Sequence, residues 1–147
     1  MTSHDNPNKD LALHFFNQAV NRHNADIVHE LMAPDAIDHN PGPSDAPGRQ
    51  GIREVFYMLY TAFPDLQGEI EDVLCDEERV VLRWTIRGTN TCKCMGICPT
   101  ERAMTATGID ILRFQNGIIT ERWGNSDDMH ILEQLEIIPR LPATASW

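Results

Sequence analysis

The chain predicts an α+β fold, with N-terminal helices packed on a curved antiparallel sheet and a short helix to finish. Three observations carry that prediction. Apolar residues recur at three-to-four spacing between Asp10 and Phe63, β-rich runs follow from Leu66 to Gly124, and Asn116-Gly117 falls between two of those runs. Helices first and a meander afterwards is the α+β order, in which the apolar face of the sheet is buried under the helices.

The first helix is predicted over Asp10 to Asn24, where Leu11, Phe15 and Ala19 share a stripe with Ala12, Phe16 and Val20. Ala25 to Met32 reads as a short second helix. Pro34 limits it, since proline has no N–H to donate and disfavours helix in the residue before it. AIDHNPG is extended chain entering a loop, and PGPSDAPGR, residues 41–49, is made almost wholly of turn formers. Helical spacing returns from Gln50 to Phe63 and stops at Pro64. Strands are predicted through Leu66, Ile70 and Val73, over Val80 to Thr89, over Met104 to Phe114 and over Ile118 to Gly124. An Asn-Gly pair between the last two suits a type I′ turn, whose central residues both need positive φ. Ser126 or Asp127 can cap a last helix, DMHILEQL, before the proline-rich tail PRLPATASW.

Length and charge narrow the function. At 147 residues and 41% hydrophobic content, the chain supports one buried core and hence a single domain, its core spanning about residues 8–136. The polar start MTSHDNPNKD has neither the basic nor the apolar part of a secretory signal, so a soluble, cytoplasmic protein is expected, with no membrane partner. Twelve Lys and Arg against 22 Asp and Glu leave a net charge of -10, which repels phosphate backbones. Nucleic acid is not expected as a partner.

TCKCMGICPT, residues 91–100, holds Cys92, Cys94 and Cys98. Their C-x-C-x3-C spacing lacks the second ligand pair of a closed zinc site, and Cys75 is far away in sequence. Free thiols in a loop are the expectation, with no metal.

Several phrases then fall into place together: DHNPG, AFPDL after an aromatic-rich helix, RVVLRWTIRGTNT, MGICPT, IDILRFQNGIITERW and the closing D-x4-L-x-QL. In order and spacing they resemble the SnoaL-like polyketide cyclase family of the nuclear transport factor 2-like superfamily. The resemblance implies a cone-shaped α+β barrel around an apolar cavity, a homodimer or homotetramer, and cofactor-independent chemistry on a hydrophobic, polyketide-like small molecule. It also places Cys92 to Cys98 in a loop that is glycine-rich in the family.

Closing a ring on a poly-β-ketone, or isomerising it, starts by removing a proton from carbon beside carbonyls and holding the enolate that results. A base, a hydrogen-bond donor and apolar walls are needed. Asp110 is the first candidate base because it interrupts an apolar strand on the face of Gly108 and Leu112; the alternative is a buried carboxylate satisfied by Arg113, Arg122 or the backbone. Asp38 and His39 match a histidine-containing phrase that the family places at the cavity mouth, and can instead order the loop. Thr120, Arg122 and Gly124 alternate to one face of the last strand, where Arg122 can steady an enolate oxygen or pair with Asp110. The family resemblance puts a catalytic acid at the position of Gly124, and glycine has no side chain to serve. Asp127 matches a second acidic position and also suits a helix cap. Trp84, Phe15, Phe56 and Tyr60 are candidate substrate-binding walls, or simply core. Asn90 stands where the family often has histidine. A cyclase or isomerase is the leading reading, with a hydroxylase-type relative or a ligand-binding protein as rivals.

Overall fold

The computed structural model describes residues 6–91 and 100–139. Helix α1 spans Pro7–Phe16, three residues ahead of its predicted start. The sequence signal was the Asn6-Pro7 pair: Asn6 Oδ1 accepts from the amides of Asn8 (3.0 Å) and Lys9 (3.3 Å), while Pro7 sits where an N–H would have no partner. The same Asn6 donates to Asp76 O at 3.2 Å, which ties the helix start to the turn between two strands.

After Phe16 the helix widens into one π-type turn, Asn17–Asn21, and ends short of the expected Asn24. Its neighbours explain the widening. Tyr60 donates its hydroxyl to Ala19 O, and Asn21 bonds both the N–H (2.7 Å) and the C=O (3.0 Å) of Gly68 as a strand residue would. Helix α2 is only Ile27–Leu31, because the chain is already extended at Met32. Strand β1, Met32–Asp38, follows at once. Helix α3, Gly48–Ala62, matches its prediction within two residues at each end.

Four further strands, β2 Gln67–Cys75, β3 Arg79–Thr89, β4 Ala103–Gln115 and β5 Ile118–Ser126, complete a sheet of order β1-β5-β4-β3-β2. Helix α4, Asp128–Gln134, closes the described chain, with Asp127 Oδ1 accepting from His130 N at 3.3 Å. The expected meander holds for β2 to β5. What it omits is β1, which pairs parallel with β5. Proline 34 is tolerated there because β1 is an edge strand.

The sheet curves without closing, so the barrel is an open cone with β1 and β2 as its edges. Irregular register between Ile70 and Asp72 and between Arg113 and Phe114 helps bend it. The first bulge explains an odd spacing in the sequence: Ile70 faces Trp84 and Val73 faces Leu82, so two residues three apart share the inner face. Asn116 (φ 52°) and Gly117 (φ 78°) make the β4–β5 turn with both central residues at positive φ. The core lies between α1, α2, α3 and the concave side of the sheet, where Ile27, Phe63, Leu66, Val80, Phe114 and Ile119 are fully buried.

Candidate active site

Mid-sheet, the concave face turns polar. Cross-strand pairing sets Leu82 against Asp110, Asp110 against Gly124 and Leu112 against Arg122, so Asp110, Arg122 and Gly124 project inward together. Asp38, at the end of β1, is registered with Arg122 from the other side. Thr120 does not join them. It is the extra residue of the bulge that lets Phe114 pair with Ile119 and Arg113 with Glu121, and its hydroxyl donates to Arg113 O at 3.4 Å.

Arg122 is the hub. Its Nη1 donates to Asp38 Oδ1 at 2.8 Å and to Asn40 O at 3.2 Å, its Nε to Asp110 Oδ2 at 3.3 Å, and its Nη2 to Asp110 Oδ1 at 3.4 Å. A guanidinium carries five N–H groups, so one hydrogen of Nη2 has no acceptor among the described residues. Burial works against the Arg122 charge, but the two carboxylates outweigh it and raise its pKa. The two carboxylates are held unequally. The Asp38 side chain is 5% exposed and bonded at short range, whereas Asp110 is 21% exposed and bonded at long range.

Gly124 is what gives the pair its room. A Cβ there would lie 2.4 Å from Arg122 Nη2 and 2.5 Å from Asp110 Oδ1. The main chain at 124 is held by Asn40, whose Oδ1 accepts from Gly124 N at 3.0 Å. Beside Asp110, the Trp84 ring lies across Gly108, where a Cβ would come within 2.2 Å of it. The Trp84 ring thus covers the β4 position two residues before Asp110 on the same face, and Leu82 is the β3 residue registered with the carboxylate.

The other predicted residues scatter. His39 follows Asp38 but lies on the convex face, bonded to Glu121 at 2.9 Å and stacked on Trp123 with ring centroids 4.6 Å apart. It is separated by the sheet from Asp110, because successive strand residues point to opposite sides. Phe15, Phe56 and Tyr60 form an aromatic chain between α1 and α3, with Tyr60 also stacked on His23 at 4.5 Å. Burial pushes the Tyr60 hydroxyl well above the usual phenol range. Asn90 is buried, and its Oδ1 accepts from Thr100 N (2.9 Å) and Thr100 Oγ1 (3.0 Å), drawing the two sides of the β3–β4 connection together. Asp127 serves as the cap of α4.

Cys92, Cys94 and Cys98 lie outside the described residues; Cys75 is a half-buried free thiol in β2. No cluster suited to a metal ion occurs among the described residues, and no helix there is long and apolar enough to cross a membrane. Two surface hollows of about 360 and 350 Å³ lie at the Asp76–Arg79 end of the sheet and include none of Asp38, Asp110 or Arg122. Neither is the apolar cavity expected over Asp110. Sequence reasoning passed over Asn40, although it stands in the DHNPG phrase beside Asp38.

Comparison with known proteins supplies the wider setting. The family model described as SnoaL-like polyketide cyclase matches residues 10–135. Among solved structures, IdmH of Streptomyces antibioticus, a candidate polyketide cyclase, is 31% identical with a TM-score of 0.75 over 88% of this chain and 98% of its own. AclR of Streptomyces galilaeus, a candidate hydroxylase, is 26% identical with a TM-score of 0.79 over 92% of this chain and 85% of its own. A SnoaL-like protein from Jannaschia sp. CCS1 shares the fold at 16% identity, TM-score 0.80, over 95% and 98% of the two chains. No curated protein sequence matches this chain.

Proposed function

This chain belongs to the SnoaL-like polyketide cyclase family, and on that premise we propose that it is a cofactor-independent enzyme that moves a proton on a hydrophobic, polyketide-type small molecule. The observation that carries the reading is the Asp110–Arg122–Asp38 cluster on an otherwise apolar sheet face. Asp110 is the base, being the more loosely held carboxylate. It takes the proton from carbon between two carbonyls, and the C–H electron pair moves onto a carbonyl oxygen as an enolate. The unpaired N–H of Arg122 receives that oxygen. As Asp110 becomes neutral, the guanidinium exchanges one anionic partner for another, so the charge of the site is conserved. The enolate carbon then attacks a second carbonyl, closing a ring while Asp110 returns its proton to the new alkoxide oxygen, or Asp110 returns the proton to another carbon of the conjugated enolate, giving an isomer. Trp84 forms the apolar wall.

In heavy water, with a neutral aromatic β-keto ester as probe, the protein is expected to accelerate deuterium uptake at the acidic carbon. Asp110→Asn should cut that acceleration by about 10²–10⁴-fold, the usual weight of a positioned base. Equal exchange in both proteins removes Asp110 from the mechanism.

Gly124 favours one second reading. With no acid at the position where the family resemblance expects it, the chain suits a hydroxylase-type member, the role attached to AclR. Turnover that requires oxygen and carries label from ¹⁸O₂ into product would establish that reading.

A second copy of this chain is the proposed partner, on the convex face. Leu74, Val81, Ile111 and Trp123 are registered in one row across four strands there, with Leu74 68% exposed. The surrounding charges are already matched, Arg83 with Asp72, Arg87 with Glu69 and Arg113 with Glu121, so like faces can meet despite the net charge of -10. Light scattering should give twice the chain mass, and Leu74→Glu combined with Ile111→Glu should return the monomer. A monomeric parent sinks the idea.

A further inference from the structure

We infer that Asn40 is a positioning residue that aims the unpaired N–H of Arg122. The inference takes its catalytic meaning from the proton-transfer reading above. Asn40 meets the cluster three times. Its carbonyl accepts from Arg122 Nη1 at 3.2 Å, its Oδ1 accepts from Gly124 N at 3.0 Å, and its own N–H donates to Asp38 Oδ1 at 3.1 Å. The preceding residue adds His39 N to Arg122 O at 2.9 Å.

These contacts form a clasp. Asp38 is the last residue of β1, and beyond the main-chain bond from His39 N to Arg122 O the parallel ladder with β5 stops, so Asn40 is kept against Arg122 and Gly124 by its own side-chain and turn bonds. The Oδ1 bond to Gly124 N fixes where the Asn40 carbonyl stands, and that carbonyl occupies the second hydrogen of Nη1. Asp38 Oδ1 is oriented by Asn40 N while it holds the first. With Nη1 doubly engaged and Nε on Asp110, rotation of the guanidinium plane is blocked and the remaining Nη2 hydrogen has one direction. Releasing the Asn40 side chain frees the turn, and Arg122 then keeps only its carboxylate partners, which tolerate several orientations. Asn40 touches no reacting atom; it acts through Arg122.

The test reads the guanidinium directly. In the full chain labelled with ¹⁵N and ¹³C, the parent should show slow rotation about the Arg122 Cζ–Nε bond, with distinct Nη1 and Nη2 signals and a slowly exchanging Hε. Asn40→Ala removes the bond to Gly124 N, and by freeing the main-chain carbonyl that Arg122 Nη1 holds it should merge those signals and speed Hε exchange about tenfold. Asn40→Asp, which keeps an acceptor for Gly124 N, should retain the slow rotation. In the deuterium-uptake assay, Asn40→Ala should lower kcat about tenfold with KM little changed. Unchanged Arg122 signals in Asn40→Ala, or equal loosening in both variants, overturns the proposal. If the parent shows no deuterium uptake yet Asn40→Ala frees the guanidinium, the positioning role stands and the proton-transfer reading falls.

Discussion

Replacing Arg122 by methionine is expected to destabilise the fold by about 1–3 kcal/mol at neutral pH, the usual result of leaving half-buried polar groups without their partner. Methionine keeps the apolar stem and ends about where the guanidinium begins, so what is lost is the charge and its five donors. Among the described residues Asp38, 5% exposed, would keep only the amide of Asn40, and Asp110 would lose both of its guanidinium bonds. Urea unfolding followed by tryptophan fluorescence measures the change. Arg122→Lys should recover part of the stability and little of the catalysis, since an ammonium cannot reach both carboxylates with a planar fork. Parent-like stability of Arg122→Met across pH 5–8 would mean that water already serves these carboxylates.

Gly124→Asp is the second large effect. It installs an acid where the family resemblance expects one, yet its Cβ would stand 2.4 Å from Arg122 Nη2 and 2.5 Å from Asp110 Oδ1. Both atoms are side-chain ends that can swing aside, so the cost falls on the Arg122–Asp110 bonds they would give up, about 1–3 kcal/mol, and a third carboxylate beside two others adds repulsion. The single variant should therefore unfold at markedly lower urea and lose deuterium uptake. Because residues 110 and 124 are directly registered on the same face, the double variant Asp110→Gly with Gly124→Asp moves the carboxylate across one strand spacing and vacates the volume it needs. Stability should return, with part of the activity. A double variant no better folded than Gly124→Asp alone would show that the two positions do not share a space.

Much of this was legible in the chain. Hydrophobic spacing placed α3, and alternation with the Asn116-Gly117 turn placed β3, β4 and β5, because these are local patterns that tertiary contacts reinforce. Strand β1 was only half visible: Met32–Asp38 follows a helix without a gap and joins the sheet in parallel, so no hairpin turn announces its partner. The π-type turn depends on Tyr60 and Gly68, distant residues that no local pattern can reveal. At the site, Asp110, Asp38 and Arg122 were named and are assembled by the sheet. His39 was grouped with Asp38 because both fall in the DHNPG phrase that carries the family resemblance, and strand geometry sends these two neighbours to opposite faces. The Thr120 bulge could not be read either, since one inserted residue reverses the faces after it without altering composition.

Residues 110 and 124 are cross-strand neighbours on one face, so the side chain carried by either sets how much room the other has. A carboxylate on β4 and a bare backbone on β5 are therefore a single feature of the cluster: exchanging the two keeps its net charge and displaces it by one strand.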